Sequence, residues 1–375
     1  MNTSGDSLRL VKHRLFFYPL VLGVLFIGSL MLLAWSRDAS VVEAKNHNSQ
    51  PSRSSTVTPS IAGDSSQSGD CQAIQEMIDS LPATGGEVFI PAGGYTCTKP
   101  IVIDRDNVRL YGQGSETVLR LADGANAPVL VLGQTEPDPT VTRHNIRVSD
   151  LVIDGNRANQ PDECWGGDCA NNPIRNNGVT LRRVSDALIA RVTVFRARSG
   201  GLVSERGCRR LIIRDFTSSD NQFDGLAGYE TEHSSFSGLR LHDNQAAGLS
   251  FDIRFNNNFF SDVIITGSMK VGIFMRDSRD NTFHDLQIRN SKEHGIFLAQ
   301  VDEDITTPAA GNTFIRGVIS NSKQAGLRVN NESCVNNLVV AFQFSGNGEG
   351  CISEALPGLV KAWEIDCLMT DKQEY

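Results

Sequence analysis

The sequence predicts an all-β chain that folds as a parallel β-helix, a solenoid in which short strands stack coil upon coil. Three observations lead to this prediction. A glycine followed by alternating apolar residues recurs about every two dozen residues between Gly178 and Gly350. A second apolar alternation follows inside each unit, and a segment with helical spacing precedes the first coil. Repeats of this length, too short to bury a core alone, are typical of solenoids.

The glycine that opens each unit marks the coil period. The repeat glycines are Gly178, Gly201, Gly225, Gly248, Gly272, Gly295, Gly326 and, as a weaker copy, Gly350. They are 23, 24, 23, 24, 23, 31 and 24 residues apart. The longer interval contains Val301–Ala310, an acidic, proline-containing insertion that we expect to loop out from one face.

Two further rows recur once per coil. The first is aromatic and consists of Phe236, Phe260, Phe283 and Phe314, which we expect to stack in the core. The second precedes the repeat glycines by three to five residues and consists of Asn221, Asn244, Asn290, Asn321 and Asn347, which suits turn residues or a stacked asparagine ladder. Each coil therefore contains two clear short strands separated by polar turns.

The N-terminal region predicts a membrane anchor. No residue from Leu15 to Trp35 is charged, and at roughly 1.5 Å per residue this run is about 30 Å long, enough to cross a bilayer. Arg9, Lys12 and Arg14 precede it, so the positive-inside rule places the N-terminus in the cytoplasm and the rest in a periplasmic, lumenal or cell-surface location. A cleaved signal peptide is the alternative, but the run exceeds the usual apolar core of about 7–15 residues.

The chain thus divides into segments of different composition. Residues 36–69 are rich in small polar residues and predict a flexible stalk. The predicted segments are a cytoplasmic tail (1–14), a transmembrane signal-anchor (15–35), the stalk (36–69), the β-helix domain (70–350) and a C-terminal cap or tail (351–375).

All eight cysteines lie beyond the predicted anchor. This placement favours disulfides in an oxidising compartment. Cys164 with Cys169 and Cys351 with Cys367 would close short loops, although spacing alone does not determine the pairing. Metal binding is the alternative, but no CxxC or Cys/His spacing supports it.

The first coils carry a signature of their own. Cys71–Leu81 has helical spacing with Ile74, Met77 and Ile78 on one face. Gly-rich and apolar segments follow, around Glu87-Val-Phe-Ile-Pro-Ala-Gly-Gly-Tyr and Val108-Arg-Leu-Tyr-Gly-Gln-Gly. This stretch resembles the start of pectate-lyase-like right-handed parallel β-helix proteins, in which an amphipathic helix caps the first coil. The resemblance covers nearly everything from residue 70 on and implies the fold more strongly than the reaction, since the superfamily holds lyases, hydrolases, epimerases, tailspikes and non-enzymatic members.

Strand alternation predicts which side chains face outward. In each glycine-led strand the second and fourth residues should point inward, and the third and fifth outward. The fifth residues form an outward column of Arg182, Glu205, Tyr229, Asp252, Arg276, Ala299 and Asn330. A solvated, ion-paired ladder would look similar, but small residues and phenylalanines, Phe274 and Phe297 among them, occupy the row beside it. That row leaves room for a ligand and offers rings for sugar stacking.

The column and its surroundings contain the groups needed to remove a proton from the carbon atom next to a carboxylate group. Arginine would bind the substrate carboxylate, while tyrosine and histidine would act as acid and base. The predicted catalytic residues are Tyr229, His233, Asp252, Arg276 and Glu205. The predicted substrate-binding residues are Arg182, Arg254, Phe274, Phe297 and Glu232.

A more specific resemblance is partial. Bacterial mannuronan C5-epimerases share the expected fold and carry a Tyr-Gly-x-Asp-Pro-His motif, to which Tyr229, Glu232 and His233 are similar without the proline and with the histidine one residue early. Epimerases and lyases share the first proton abstraction, so both remain open. Hydrolysis ranks third, because Glu205 and Asp252 would lie about 9–10 Å apart, at or beyond the limit for an inverting glycosidase.

The expected partner is an acidic, uronic-acid polysaccharide. The excess of Asp and Glu (43) over Lys and Arg (35) excludes a general nucleic-acid scaffold. No cofactor is certain and no metal is assigned to the site, although Asp302, Glu303 and Asp304 could contact a calcium ion. The alternative from another class is a non-catalytic, surface-anchored β-helix that binds polysaccharide or is structural.

Overall fold

The computed structural model describes residues 56–57, 68–163, 174–300 and 307–368, and it confirms a parallel β-solenoid. No helix within these residues is long and apolar enough to cross a membrane. The predicted tail and anchor, residues 1–14 and 15–35, lie outside them. So do Cys164, Cys169 and residues 302–304, the proposed calcium ligands.

A single α-helix occurs in this part of the chain, Cys71–Ser80 (α1), as the sequence predicts. The Asp70 side chain accepts a hydrogen bond from the backbone N–H of Gln72 at 2.9 Å and caps its first turn. Ile74 and Ile78 are buried against the first coil. At the other end Arg105 donates to the carbonyl oxygen of Ile78 at 2.7 Å. The helix is therefore fixed at both ends over the opening of the core.

Every paired strand in the described ranges is parallel to its neighbours, and the strands form three sheets. The coil path of the largest, sheet A, contains Thr56–Val57, Gly86–Phe89, Val108–Tyr111, Arg147–Asp154, Leu188–Phe195, Ile212–Ser219, Ser235–His242, Phe259–Thr266, Thr282–Arg289, Thr313–Ser320, Asn337–Ser345 and Val360–Leu368. Three further strands join sheet A beside this path: Ser68–Asp70, Gly93–Cys97 and Thr117–Leu121.

The glycine-led strands form sheet B. Its members are Ile101–Ile103, Leu130–Gly133, Val179–Arg182, Leu202–Glu205, Leu226–Tyr229, Leu249–Asp252, Ile273–Arg276, Ile296–Ala299, Leu327–Val329 and Ile352–Glu354. Sheet C, which the sequence does not predict, consists of Arg143–His144, Val184–Ser185, Cys208–Arg209, Thr231–Glu232, Phe255–Asn256 and Ser278–Arg279. Its two-residue strands are too short to show an apolar alternation. Two 3₁₀ turns, Gly114–Glu116 and Arg157–Asn159, complete the elements.

Two predicted boundaries are corrected. Strands Thr56–Val57 and Ser68–Asp70 pair with the first coils, although residues 36–69 were predicted as stalk. At the other end Ile352–Glu354 and Val360–Leu368 continue sheets B and A, so the solenoid extends beyond residue 350 to Leu368.

The coil repeats because backbone packs on backbone at the repeat glycine. A Cβ on Gly225 would lie 2.8 Å from the carbonyl oxygen of Gly248 and 2.7 Å from Nδ2 of Asn244. Any side chain there would separate neighbouring coils, so close approach explains the glycine. The long strands of sheet A bend at single residues with positive φ inside the strand, such as Asp215 (52°) and Asp262 (51°), for which short polar side chains are suited.

The core contains the predicted aromatic row. Phe236, Phe260, Phe283 and Phe314 are fully buried and stack with centroid distances of 4.4, 4.6 and 4.9 Å. In sheet B the second and fourth residues are buried as predicted, for example Leu249 and Phe251, but third residues predicted to face outward, such as Val203 and Ala227, are buried as well.

The predicted asparagine row divides into two roles. Asn221 donates to Oδ1 of Asn244 at 2.9 Å in a buried ladder, whereas Asn290 and Asn321 occupy corners with φ of 60° and 57°. A second buried ladder, which the sequence reasoning missed, runs through Asn258, Asn281, Asn312 and Asn337 with amide hydrogen bonds of 3.1, 3.0 and 3.2 Å.

Disulfides close both ends of the described solenoid. Cys71 pairs with Cys97, and Cys351 pairs with Cys367 as one of the suggested short loops. Cys208 and Cys334 are buried free thiols. Burial raises the pKa of Cys208 to about 12, so this thiol is not a reactive nucleophile at neutral pH.

Candidate active site

The predicted outward column exists at the ends of the sheet B strands. Strand register pairs Arg182 with Glu205 and Tyr229 with Asp252, and Arg276 contacts Asp252 from the next coil. Coils in a parallel sheet are about 4.8 Å apart, so these five groups form a continuous line. Their roles nevertheless differ, because their surroundings differ.

Arg182 is an internal anchor. Its side chain is only 1% exposed and donates to the carbonyl oxygens of Gln134, Glu136 and Pro137. Its Nε also lies 2.8 Å from Oε1 of Glu205. Contrary to the predicted substrate contact, Arg182 is inaccessible here and instead fixes the chain at 134–137 beside Glu205.

Asp252 and Arg276 form a second charged pair. Nε of Arg276 lies 2.9 Å from Oδ2 of Asp252, whose side chain is 9% exposed. Oδ1 of Asp252 accepts the backbone N–H of Ile253 at 2.8 Å. Ile253 has a φ of 48°, a conformation that a β-branched residue rarely adopts. Such strain occurs at functional sites, and here it fixes the carboxylate in place.

Tyr229 is a half-buried phenol among carboxylates. Burial raises its pKa, and the nearby charges of Asp224, Asp252 and Glu205 raise it further while Arg175 opposes them. Its hydroxyl has no hydrogen-bond partner among the described residues. Tyr229 is therefore a neutral proton donor at physiological pH whose proton is free for a ligand.

Asp224 was missed by the sequence reasoning. It lies in the turn immediately before Gly225, where the neighbouring coils have Gly200 and Ala247. Its Oδ1 accepts the backbone N–H of Ala247 at 2.9 Å. Desolvation raises its pKa, against hydrogen bonds from Ala247 and Ser250 and the charges of Arg175 and Lys270. A carboxyl group with a raised pKa is suited to accept a proton near neutral pH.

Arg175 was missed as well and supplies positive charge beside this pair. Its charge acts on both Asp224 and Tyr229. Nε of Arg175 lies 3.3 Å from Oε1 of Glu163, and its guanidinium lies 4.6 Å from the centroid of the Phe223 ring. No periodic signal could have located it, because it precedes the first complete glycine-led coil.

His233 is not part of the column. It is exposed at a corner with φ of 53°, between the sheet C strand Thr231–Glu232 and sheet A. No hydrogen bond joins it to Tyr229 within the described residues. The expected Tyr229–His233 pair is therefore not observed, because Tyr229 ends a strand of sheet B whereas His233 lies at the corner beyond sheet C.

Glu232 and Arg254 border a basic groove beside the column. This arginine groove has a volume of about 490 Å³, and its charged lining is Arg183, Arg206, Arg209, Arg254, Glu230 and Glu232. Arg254 is paired with Glu230, and Arg209 lies 3.9 Å from Glu232. Four guanidinium groups against two carboxylates give the groove a net positive charge that suits a carboxylated ligand.

Phe274 and Phe297 face outward in the adjacent row and are half-buried. Their rings stack with a centroid distance of 5.9 Å, and the Arg276 guanidinium lies 5.7 Å from the Phe274 centroid. The described residues contain no group of three His, Cys, Asp or Glu side chains that could hold a metal ion. The site thus combines one phenol, several carboxylates, arginines and exposed rings.

Comparison with known protein families agrees with this architecture. The model of the family described as "Right handed beta helix region" matches residues 177–344, which contain the column. The structure thus has the architecture of a right-handed parallel β-helix, and the family match covers just under half of the chain.

Two curated relatives of this β-helix protein come from Azotobacter vinelandii. Mannuronan C5-epimerase AlgE6 is 31% identical over 176 residues, which are 44% of this chain and 19% of the relative. Alginate lyase 7 is 31% identical over 169 residues, 42% of this chain and 18% of the relative. The matched region is therefore about one fifth of each relative's length, and the two relatives are named as an epimerase of mannuronan and a lyase of alginate.

A solved structure confirms the fold alone. The N-terminal fragment of gene product 12 from bacteriophage phi29 is similar with a TM-score of 0.64 at 14% identity, covering 80% of this chain and 60% of the fragment. At this identity the shared architecture does not specify a ligand or reaction.

Proposed function

We propose that this β-helix acts on a uronic-acid polysaccharide by removing the proton at C5 of a uronate unit, as an epimerase or a lyase. The observation that carries the proposal is the grouping of Tyr229, Asp224 and the Asp252–Arg276 pair beside the arginine groove. The identity shared with an alginate epimerase and an alginate lyase supports it.

Small side chains line the strand Leu226–Tyr229 and its neighbours. Asp224 lies two residues before this strand and Tyr229 ends it, and the charge of Asp224 acts on the phenol. Ala227 lies in the row beside Tyr229, with Val203 and Ser250 on the neighbouring coils. Val203 and Ala227 are buried and Ser250 is half-buried, so a pyranose ring would lie against Ser250 and Tyr229.

The proposed reaction divides the work between these groups. The arginine groove and Arg276 bind substrate carboxylates, and the positive charge stabilises the enolate-like intermediate that forms when C5 loses its proton. Asp224 accepts this proton and Tyr229 donates one. Protonation of C5 from the opposite face inverts the centre, whereas breaking the C4–O bond, with protonation of the leaving oxygen, gives a C4–C5 double bond and a new chain end.

The test is to incubate the full-length chain with alginate, pectate and glycosaminoglycans in deuterated water. NMR would detect deuterium at C5, and ultraviolet absorbance would detect unsaturated ends. Tyr229→Phe removes only the hydroxyl and should lower kcat by roughly 10²–10⁴-fold. Asn330→Ala is the matched control, because Asn330 is exposed in the same column.

The outcomes separate the proposed functions. Turnover that survives Tyr229→Phe unchanged would contradict the assigned role of this residue. Binding of a polymer without deuterium uptake or new ends would instead support the non-catalytic alternative, which the internal pairing of Arg182 with Glu205 favours. Hydrolysis would appear as new reducing ends without unsaturation.

We also propose that the β-helix is exported and held at the membrane by residues 15–35. The charge-free run supports this, as do the two disulfides, which are typical of oxidising compartments. Carbonate washing of membranes, and protease digestion of sealed vesicles whose cytoplasmic face is inside, would test it. A chain released by carbonate, or digested only after lysis, would contradict it.

A further inference from the structure

His294 is a buried histidine outside the site described above. It immediately precedes the repeat glycine Gly295, just as Asp224 precedes Gly225 three coils earlier. It is only 8% exposed, although its type and its neighbours Lys292 and Glu293 suggest a surface residue. A titratable side chain this deeply buried needs a structural or functional reason.

The hydrogen bonding of His294 fixes its tautomer. Its Nδ1 accepts the backbone N–H of Ala325 at 3.1 Å, so the ring proton lies on Nε2. Nε2 has no hydrogen-bond partner among the described residues. It retains some contact with solvent. Burial also lowers the pKa of His294, which keeps the ring neutral at pH 7. The imidazole thus offers one oriented N–H donor to the surface.

The same ring lies against the outward phenylalanines. Its centroid is 5.3 Å from that of Phe297, which stacks in turn on Phe274 with an interplanar angle of 12°. We call His294, Phe297 and Phe274 the aromatic platform. Arg276 lies on one side of it, and Arg328 follows Phe297 on the next coil.

The aromatic platform has the chemistry of a sugar subsite. Half-exposed rings on a water-facing strand offer a flat apolar surface to the C–H face of a pyranose. An adjacent fixed N–H and two guanidinium groups can bond to hydroxyl and carboxylate oxygens. If these rings only stabilised the coils, they would not require a nearly buried N–H donor at His294 that has no hydrogen-bond partner.

Coil spacing relates the platform to the reacting centre. Three coils separate Asp224 from His294, a distance of roughly 14 Å at about 4.8 Å per coil, or about three pyranose units. A polymer lying along the solenoid axis would therefore reach both places at once.

We propose that the aromatic platform is a remote subsite for an acidic polysaccharide, in which Phe297 stacks on a sugar ring and Nε2–H of His294 donates to a sugar oxygen. This subsite rests on the proposed function for the direction of the polymer and for its reacting end. It adds a prediction that the reacting centre alone does not make, namely that binding affinity depends on the length of the oligosaccharide.

The experiment measures binding of uronate oligosaccharides of two, four and six units to the full-length chain by calorimetry. All variants carry Tyr229→Phe, so that turnover during the titration is slowed by the factor expected above. Phe297→Ala should weaken binding of the hexamer roughly five- to tenfold and leave the dimer unchanged. His294→Gln should act in the same direction, and Phe259→Ala is the control, because Phe259 is exposed on sheet A.

The outcomes are distinguishable from those of the reaction test. Equal loss for all lengths, or none for the hexamer, would overturn the subsite. Should His294→Gln not fold, the Phe297→Ala result decides, since that ring is half-buried. A length-dependent loss supports the subsite even where the wild-type chain shows no turnover, whereas turnover with length-independent binding overturns the subsite alone.

Discussion

The inside and the outside of the same coils follow opposite rules. Inside, the four stacked phenylalanines and the four asparagines of the second ladder repeat one residue type in successive coils. Outside, the column changes from arginine to glutamate, tyrosine, aspartate and arginine within five coils. Repetition is possible where each coil offers its neighbour the same contact. Chemistry needs different groups side by side, so the candidate site is found where the repeat is broken.

The hydrogen bonding of the two regions differs in the same way. Each ladder amide has partners on the next coil, so a buried polar group costs little. Tyr229 is half-buried without such a partner, and Asp224 holds a desolvated carboxyl group. The interior stabilises the solenoid. This stability offsets the free-energy cost of partly burying Tyr229 and Asp224 on the outside of the coils.

The aromatic row gives the largest expected effect on stability. Phe260 is fully buried between Phe236 and Phe283, so Phe260→Ala should reduce the free energy of unfolding by about 3–5 kcal/mol. Phe259, its neighbour in sequence, is 45% exposed, and Phe259→Ala should cost under about 0.5 kcal/mol. Urea denaturation of the full-length chain followed by circular dichroism measures both. Similar losses for the two variants would show that the interior row contributes nothing special.

The asparagine ladder should give a smaller but clear effect. Oδ1 of Asn281 accepts from Asn258, and its amide donates toward Asn312, so Asn281→Ala leaves buried partners on both neighbouring coils unsatisfied. The expected loss is about 2–4 kcal/mol in the same denaturation experiment. Asn330→Ala, at an exposed asparagine, should change the free energy of unfolding by less than about 0.5 kcal/mol. A loss below 1 kcal/mol for Asn281→Ala would mean that water satisfies the hydrogen-bonding groups that Asn281 leaves unpaired.

The same contrast explains what the sequence could predict. Gly225, Phe260 and their counterparts recur at the coil period, so the architecture, the core row and the outward column could all be located from spacing. The two-residue strands of sheet C are shorter than any detectable alternation, and corners such as that at His233 depend on single backbone angles. Asp224 lies in a turn and occurs at that position in one coil only. The site residues that spacing could not locate, Asp224 and Arg175, were thus the least periodic ones.

Asp224 should give the smallest stability effect, with a size that depends on pH. Because its pKa is raised, the folded chain holds this proton more tightly than the unfolded chain does. Its contribution to stability is therefore fully present below the ordinary carboxyl pKa of about 4 and is lost as pH rises through the higher folded value.

Asp224→Asn keeps the shape and can still accept the N–H of Ala247 while removing the charge. Its Tm should exceed that of the wild type at about pH 7, and the difference should disappear near pH 3. Thermal melts across this range measure the difference. Glu349→Gln is the matched control, since it makes the same carboxylate-to-amide change at an exposed residue that also precedes a repeat glycine. A pH-independent difference for Asp224→Asn would show that the carboxyl group of Asp224 is well solvated. Its place outside the repeat pattern would then cost the fold no free energy.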